Sequence, residues 1–427
     1  MIKQYTYNEI SIDEIFSRSE EKNEIADVVA EMIAAVRQKG DAALREYSER
    51  FDGAALEDME VSAEEMQAAY DAVDQEFLLV LEEAAEHIRG YHQNQKRTDL
   101  VYTPREGVIL GQRVTPLDRV GLYVPGGTAN YPSTVLMNGI PAKLAGVKEI
   151  IMVTPAKGGK INSDVLAAAK IAGVDRVFKI GGAQAIAALA YGTETIPSVD
   201  KIVGPGNAFV AEAKKQVFGK VSIDMIAGPS EILVIADGQS EAAVVAADML
   251  SQAEHDTMAS AVLVTDSKAL AKAVSACLEV QIPLLPRKEI ARKSIDDNGK
   301  IILAESIQEA IEIANQIAPE HLELCVDNPF DYLADIRHAG SIFLGRNAPE
   351  ALGDYFSGTN HTLPTGGTAR FASPLSVDDF VKKSSFTYYT KEALAKEAEK
   401  INMFAQREGL AAHGKSAMIR FEREAEK

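Results

Sequence analysis

The apolar positions of this chain recur with two periods, and each period predicts a different element. Between residues 115 and 235, short β-branched runs such as GLYV (121–124) and EIIMVTP (149–155) are separated by stretches with a helical period. Two of these helical stretches are Ser163–Ala172 and Gln184–Tyr191. A β-α-β-α alternation is typical of a parallel sheet that helices cover on both faces.

A second series of the same kind runs from residue 240 to about residue 345. It begins with an amphipathic helix that ends near His255, and strands are predicted at 260–266, 300–305 and 340–345. The fold class is therefore α/β, with two Rossmann-like parallel-sheet domains. The predicted segments are an N-terminal arm (1–20), a first, discontinuous α/β domain (21–114 and 236–375), a second α/β domain (115–235) and a C-terminal helical segment (376–427).

Helical patterns dominate outside the two series. Long helices are predicted over Val28–Tyr47 and Ala63–Tyr91, both inside the discontinuous domain. Residues 376–427 are charged and helical, and they are too few to form a core of their own. We expect this C-terminal segment to pack on another domain or on another subunit.

The composition excludes several classes of partner. The chain has 427 residues, of which 46% are hydrophobic and 25% are charged, and these fractions are typical of globular proteins. Lys and Arg number 44 against 63 Asp and Glu, so the formal net charge is −19. This sign disfavours nucleic acid and anionic membranes as partners, and an anionic ligand would need local donors such as backbone N–H groups.

The N-terminus and the cysteines favour a cytoplasmic protein. The first ten residues lack the apolar core of a signal peptide, and no apolar run approaches the roughly 18 residues of a membrane span. Cys277 and Cys325 each lie in an apolar context, and we interpret them as reduced structural thiols. A nucleophilic pair of Cys325 with His321 is an alternative that those apolar neighbours disfavour.

Three glycine-rich turns follow predicted strands: GGT (126–128), GGAQ (181–184) and GPGN (204–207). Glycine lets a backbone approach a phosphate closely, and the helix that follows offers free N–H donors. The dinucleotide fingerprint is incomplete, because Phe209 stands where its third glycine would be. Each turn alone is more often structural, but three together favour a phosphate-bearing ligand bound in a non-standard way.

Gln252 and His255 end the amphipathic helix about 60° apart on one flank of its apolar stripe. A polar flank that meets solvent is the commoner explanation of such a pair. With Asp354 and His413, however, these two residues would make a zinc site of nitrogen and oxygen ligands. Its three strong ligands could leave room for a substrate.

Glu320 and His321 follow Pro319, where a predicted helix stops. A carboxyl group beside an imidazole offers two groups of different pKa, which suits two proton transfers near neutral pH. The alternative is a solvated loop acid beside a core histidine, and residues alone do not separate the two. Ser230 by itself is more often a turn residue, and we interpret His338 as structural.

The chain resembles the histidinol dehydrogenases over nearly its whole length. The resemblance is carried by GLYVPGGTANYPSTVLM (121–137), KIGGAQAIAALAYG (179–192), VGPGNAFVAEAK (203–214), IDMIAGPSEI (223–232), DMLSQAEH (248–255), IAPEHLEL (317–324), GDYFSGTNHTLPT (353–365) and AAHGKSAMIR (411–420). It implies oxidation of L-histidinol to L-histidine through L-histidinal, with two NAD and one zinc ion per subunit. It also implies a homodimer whose C-terminal histidine completes the partner's active site.

The resemblance assigns roles residue by residue. It implies zinc ligands at Gln252, His255, Asp354 and His413, a catalytic pair at Glu320 and His321, further substrate contacts at Ser230, His361 and Glu408, and dinucleotide contacts at Tyr123, Gln184 and Asn207. The zinc ligands and His321 are implied to contact the substrate as well. Two departures from the family pattern concern loop geometry: Thr359 stands where proline is expected, and Asp256 where glycine often follows the histidine.

Two other functions compete with this hypothesis. A zinc-dependent hydrolase or lyase would also use zinc with a Glu-His pair, but it leaves the glycine-rich turns unexplained. A two-lobed binding protein without catalysis would make Glu320 and His321 dispensable.

Overall fold

The computed structural model describes residues 2–16, 23–126 and 130–422. The described residues within 1–95 and 117–380 form one compact unit, and those within 96–116 and 381–427 form another. The strands are β1 (Lys3–Thr6), β2 (Leu100–Arg105), β3 (Val108–Pro116), β4 (Arg119–Tyr123), β5 (Glu149–Val153), β6 (Arg176–Phe178), β7 (Lys201–Val203), β8 (Ser222–Ile223), β9 (Glu231–Ala236), β10 (Ser260–Thr265), β11 (Lys300–Leu303), β12 (His321–Cys325), β13 (Ser341–Leu344) and β14 (Val381–Tyr389). The α-helices are α1 (Ile12–Ile15), α2 (Asn23–Lys39), α3 (Asp41–Asp52), α4 (Ala63–Ala72), α5 (Gln75–His92), α6 (Pro132–Ala145), α7 (Ser163–Ala172), α8 (Gly182–Tyr191), α9 (Ala208–Val217), α10 (Ala242–Ala253), α11 (Lys268–Gln281), α12 (Lys288–Asp297), α13 (Ile307–Ile317), α14 (Glu350–Tyr355), α15 (Lys391–Arg407) and α16 (Ala411–Glu422).

The first unit contains a six-stranded parallel sheet in the order β1-β11-β10-β9-β12-β13. Its central strands β9 and β10 are buried along their whole length, as the uninterrupted apolar runs EILVIA and SAVLVT require. Two apolar clusters cover its faces, one built on α10 and α11 and the other on α13. The predicted α/β class with parallel sheets is confirmed.

The described part of the expected N-terminal arm supplies one strand of this sheet and packs against one of its faces. Lys3–Thr6 pairs in parallel with Lys300–Leu303 and so forms an edge strand. The sequence KQYT has no apolar alternation, because its pairing uses backbone groups that any residue carries.

The same unit contains a five-stranded parallel sheet in the order β6-β5-β4-β7-β8. The chain adds β5 and β6 on one side of β4 and then returns to add β7 on the other side. The direction of winding therefore reverses between β4 and β7. In open α/β sheets, ligands bind outside the carboxyl ends of the strands at such a switch point.

Helices α2 to α5 pack on the five-stranded sheet, which differs from their predicted place in the discontinuous domain. Val29, Val36 and Leu44 share one core with residues of α8 and α9, and α5 shares another core with α6 and α7. An apolar helix face reveals that it is buried, but it does not reveal which sheet it covers. The segment 23–95 is therefore reassigned to the sheet of the glycine-rich turns.

Each of the two long predicted helices is divided in two. Gly40 separates α2 from α3 with a positive φ of 54°. Asp74 separates α4 from α5, and its carboxylate accepts hydrogen bonds from the N–H groups of Glu76 and Phe77 at 2.9 and 3.2 Å. The hydrophobic period continues across both breaks. The sequence therefore predicts one long helix at each place, although glycine and a capping aspartate are typical of helix boundaries.

The second unit combines an antiparallel sheet, in the order β14-β3-β2, with the helices α15 and α16. The nine-residue strand Val381–Tyr389 corrects the prediction that residues 376–427 are helical throughout. Large apolar side chains on this unit are exposed, among them Leu100, Val101, Tyr102, Tyr388, Met403 and Phe404. In the described part of the chain, no helix is long and apolar enough to cross a membrane.

Candidate functional site

The backbone of Glu231 holds both Glu320 and His321. Strands β9 and β12 are parallel neighbours, and Glu320 and His321 lie at the start of β12 beside the start of β9. The Glu231 N–H donates to Glu320 Oε2 at 2.9 Å, and the Glu231 carbonyl oxygen lies 3.0 Å from His321 Nδ1. Because a carbonyl oxygen only accepts, Nδ1 carries a proton, and Nε2 is left as the basic nitrogen of the neutral ring.

Burial and charge shift both side chains toward the protonated state. Burial raises the pKa of Glu320 to about 8, although His321 acts in the opposite direction. Burial alone would lower the pKa of His321, but the carboxylates of Glu320, Glu350 and Asp354 raise it above its ordinary value. The pair can therefore hold and release protons within the neutral range.

Gln252 is a buried amide that forms no hydrogen bond of normal geometry with the described residues, although it lies close enough to the Glu350 carboxyl group to lower its pKa. Its side chain is 0% exposed, and among the described residues neither amide atom has a hydrogen-bond partner. An unsatisfied buried polar group costs about 1–3 kcal/mol. Two such atoms on one side chain indicate that a bound ligand supplies a polar partner for this amide.

His255 and Asp354 lie at the same site as Gln252. His255 follows α10 at the amino ends of the strands, and its Nδ1 is 3.4 Å from Ser230 Oγ. Burial lowers the pKa of His255 and so favours its neutral, metal-binding form. Burial would raise the pKa of Asp354, but a hydrogen bond from His361 and nearby imidazole charge lower it to about 2. A neutral imidazole, a carboxylate and an unpartnered amide are a donor set that suits zinc.

The loop after α14 joins the two sheets of the first unit. Asp354 Oδ1 lies 3.5 Å from His361 Nδ1, and His361 Nε2 lies 3.3 Å from Thr134 Oγ1 in the first turn of α6. Asn360 fixes this loop, because its amide donates to the Met137 carbonyl at 2.6 Å. The candidate metal residues at the amino ends of the six-stranded sheet therefore adjoin the carboxyl ends of the five-stranded sheet.

The predicted dinucleotide residues lie at those carboxyl ends. Tyr123 ends β4, its hydroxyl accepts from the Gly182 N–H at 3.1 Å, and burial raises its pKa to about 12. Gln184 is 1% exposed, and its Oε1 has no partner among the described residues. Gly204 has a φ of 115°, and a Cβ there would collide with the Tyr123 carbonyl oxygen. Of the GGT turn, Gly126 is described, whereas 127–128 lie outside the described residues.

A buried ion pair that the sequence analysis missed supports the turn at Gly204. Lys214 and Asp224 form a salt bridge, with side chains that are 2% and 1% exposed. Lys214 Nζ also donates to the Gly204 carbonyl at 3.0 Å, and Asp224 Oδ2 accepts from the Gly204 N–H at 2.7 Å. Asn207, which follows, caps α9 through its Oδ1, so its amide N–H groups remain for a ligand.

Glu350 is a second residue that the sequence analysis missed. It begins α14, is 2% exposed, and its Oε1 lies 3.7 Å from His321 Nε2. Ligand atoms of His321, Glu350 and Asp354 all lie within 4.8 Å of one another. Burial raises the pKa of Glu350, Asp354 adds to the rise, and His321 and then the neighbouring Gln252 amide oppose it. No local pattern marks Glu350, because it becomes part of the site only through the packing of α14.

Two of the predicted site residues lie in the C-terminal part of the chain. Glu408 and His413 belong to the second unit, at the end of α15 and in α16, and both are exposed. Burial raises the pKa of the Cys325 thiol, which disfavours a nucleophilic thiolate there.

Both departures from the family pattern supply local hydrogen bonds. The Thr359 N–H donates to Ser357 Oγ at 3.2 Å, and Asp256 Oδ1 accepts from the Met258 N–H at 2.8 Å. Thr359 thus uses a donor that proline lacks, and Asp256 secures the turn after His255 in a way that glycine could not.

Comparison with known proteins adds an independent line of evidence. A sequence model of the histidinol dehydrogenase family matches residues 16–421. The chain is 56% identical over 398 residues to a histidinol dehydrogenase of Syntrophotalea carbinolica, covering 93% of this chain and 92% of that protein. It is 57% identical over 396 residues to one of Bacillus cereus, with the same coverage of 93% and 92%. A crystal structure of histidinol dehydrogenase from Elizabethkingia anophelis superposes with a TM-score of 0.94 at 39% identity, covering 99% of each chain.

Proposed function

The chain belongs to the histidinol dehydrogenase family, and from this premise we propose that it oxidises L-histidinol to L-histidine through L-histidinal in two hydride transfers to NAD. We propose further that zinc anchors the substrate at Gln252, His255 and Asp354. The observation that carries the proposal is the Glu320–His321 pair, held by one backbone residue, together with the buried Gln252 amide, which forms no normal hydrogen bond with the described residues.

The metal proposal rests on the chemistry of the donors. Gln252 offers a neutral amide oxygen, His255 a neutral imidazole and Asp354 one negative charge, so a bound Zn²⁺ would keep a net charge of about +1. A site of that charge suits neutral nitrogen ligands. When bound, the zinc ion would act as a Lewis acid that holds the imidazole and the amine of the substrate.

In the first oxidation, His321 takes the hydroxyl proton of the alcohol while a hydride leaves the same carbon for NAD. Its Nε2 carries out this transfer, because Nδ1 already donates to the Glu231 carbonyl. The Glu350 carboxylate, 3.7 Å from Nε2, stabilises the imidazolium that forms. The products of this step are the aldehyde, NADH and one proton.

In the second oxidation, Glu320 orients water and accepts a proton from it as the water adds to the aldehyde carbonyl. The Glu231 N–H donates to Glu320 Oε2, so Oε1 remains for the water. His321 then takes a proton from the hydrate as the second hydride leaves for a second NAD. One water molecule is consumed, and the acid is released.

NAD binds at the switch point of the five-stranded sheet in this proposal. The turn at Gly204 lines the carboxyl edge together with Oε1 of Gln184, which has no hydrogen-bond partner in the described part of the chain, and Tyr123 lies at the end of β4. The contact between His361 and Thr134 brings this edge next to the substrate residues, as direct hydride transfer requires.

We propose a homodimer in which His413 and Glu408 complete the site of the partner. Two observations support it: both residues are exposed, and the second unit exposes large apolar side chains such as Tyr388 and Phe404. A neighbouring copy that covers these side chains would carry His413 to a fourth ligand position.

A direct assay tests the proposed function. Histidinol and NAD should yield two NADH per histidine, and a chelator should abolish the activity until zinc is returned. A zinc hydrolase or lyase would form no NADH. Absence of histidinol-dependent NADH from zinc-loaded protein would exclude the proposal.

A further inference from the structure

Glu350 is a buried carboxyl group outside the expected ligand set. Its backbone N–H donates to Glu323 Oε1 at 2.7 Å, and its Oε2 lies 3.0 Å from Ser251 Oγ, so both its backbone and its side chain are held. Its Oε1 has no hydrogen-bond partner among the described residues. An anchored carboxylate with one free oxygen is a preformed acceptor.

Two side chains adjoin this carboxyl group: His321, whose Nε2 lies 3.7 Å from Oε1, and Gln252. Ser251, which contacts Glu350, precedes Gln252 on α10, and the Gln252 amide is close enough to the Glu350 carboxyl group to lower its pKa as a loose hydrogen-bond donor. Neither amide atom of Gln252 forms a hydrogen bond of normal geometry with any described residue. One side chain therefore has a spare acceptor, and the other has two spare donors and an acceptor.

We propose that Glu350 is a positioning residue that fixes which end of the Gln252 amide faces the metal. This inference rests on the proposed function, which makes Gln252 a zinc ligand. A small shift brings Gln252 Nε2 to the Glu350 carboxylate as donor, and Oε1 then points away as the coordinating atom. The carboxylate enforces this orientation because its oxygens only accept, so an amide turned the other way would meet oxygen with oxygen.

The choice of residue at position 350 follows from this argument. A carboxylate discriminates between the two ends of an amide, whereas a glutamine offers both a donor and an acceptor and tolerates either orientation. Groups that orient a metal ligand typically contribute about 10–100-fold to metal affinity. Selecting one orientation of the Gln252 amide therefore depends more on a carboxylate at position 350 than on the length of its side chain.

The test compares zinc binding by Glu350→Gln and Glu350→Asp with that of the parent, by competition with a chromophoric chelator. Glu350→Gln keeps the size of the side chain but introduces a hydrogen-bond donor. Glu350→Asp keeps a carboxylate, which only accepts, on a shorter side chain. We expect Glu350→Gln to bind zinc about 10–100-fold more weakly and Glu350→Asp to recover part of that loss. The visible spectrum of the cobalt-substituted protein should change in the Gln variant and return toward that of the parent in the Asp variant.

Glu212→Gln is the matched control, because it makes the same change at a buried glutamate on α9, outside the metal residues. It should bind zinc as the parent does, and circular dichroism should show that all variants are folded. If Glu350→Gln binds zinc as well as Glu350→Asp or better, the residue only fills space and the proposal fails. If every variant of Glu350, alanine included, loses zinc as completely as His255→Ala, Glu350 is itself a ligand and the positioning role is also wrong.

His255→Ala separates this failure from failure of the proposed function. Parental zinc affinity in His255→Ala would show that the ligand set is wrong, and the role of Glu350 would fall with it. Loss of zinc from His255→Ala, together with unchanged affinity in Glu350→Gln, would leave the ligand set intact and overturn the positioning role alone.

Discussion

The carbonyl oxygen of Glu231 lies 3.0 Å from Nδ1 of His321, and this contact determines which nitrogen of the ring can accept a proton. The N–H of the same residue donates to Glu320 at 2.9 Å. Two proposed catalytic side chains thus share one backbone support on a buried strand, which keeps their relative position constant through two oxidation steps.

The division of labour between these side chains is testable. His321→Asn should slow oxidation of both histidinol and added histidinal, because both steps need a base. Glu320→Gln should slow the histidinal step relative to the first by about 10²–10⁴-fold, since only that step needs activated water. Pre-steady-state NADH formation by Glu320→Gln should show one fast equivalent per site and a slow second. If Glu320→Gln slows both NADH equivalents equally, Glu320 does not activate water and instead orients His321.

Metal content should depend on His255. We expect His255→Ala to lose zinc and activity together, as measured by elemental analysis and by the NADH assay. His338→Ala is the control, because His338 is outside the proposed ligand set, and it should retain the metal. Full zinc occupancy in His255→Ala would remove that residue from the ligands.

A shared active site predicts complementation between two inactive proteins. His413→Ala lacks the ligand that a subunit donates, and His255→Ala lacks one that it keeps. Hybrid dimers contain one site with neither substitution, so mixing under exchange conditions should restore up to about half of the parental activity per hybrid. Exchange demonstrated by mass spectrometry without any rescue would argue against a site shared between subunits.

The turn at Gly204 should tolerate no side chain. Gly204→Ala and Gly219→Ala both place alanine at a positive φ, 115° and 97°, so each should lose about 1–3 kcal/mol through backbone strain. Only at Gly204 would the new Cβ collide with the carbonyl of Tyr123, which should add about 1–3 kcal/mol. Urea unfolding measures the difference, and NAD binding should be weakened in Gly204→Ala alone. Equal losses of stability in the two variants would show that the backbone near Tyr123 moves to accommodate the new Cβ.

Burial of Glu320 also predicts how stability depends on pH in the metal-free protein. Burial raises its pKa from 4.5 to about 8, so between these values the folded state holds a proton that the unfolded state releases. The stability linked to that proton is complete below pH 4.5 and is lost as pH rises through about 8. Relative to Glu320→Gln, the free energy of unfolding of the parent should fall by up to about 1.4 kcal/mol for each unit by which the pH rises between 4.5 and about 8. Urea unfolding at several pH values measures the difference in the free energy of unfolding between the parent and Glu320→Gln. A difference that does not change with pH would contradict the raised pKa of Glu320.

Local patterns were sufficient for the elements that are buried on both faces. EILVIA and SAVLVT could be recognised as parallel strands because helices cover both sides of them, so neither strand has a solvent face to interrupt its apolar run. The glycine-rich turns and the motifs around Gln252, His255, Glu320 and His321 were equally recognisable, since each residue type there has a chemical use at short range.

Features that depend on a distant partner could not be read in this way. KQYT is an edge strand only because β11 lies beside it, and α2–α5 cover the five-stranded sheet although their apolar faces would suit either sheet. Periodicity records that a face is buried, and it carries no information on what buries it.

The sequence by itself therefore determined the fold class and the family, and it predicted most of the residues whose chemistry the proposed site would use. Only the tertiary structure decided how these residues meet: the backbone of Glu231 between Glu320 and His321, Glu350 next to His321 and within reach of Gln252, and the Lys214–Asp224 pair beneath Gly204. The physical reason is that a backbone donor has no residue signature. A buried carboxyl group, likewise, gains its role from neighbours that are distant in the chain.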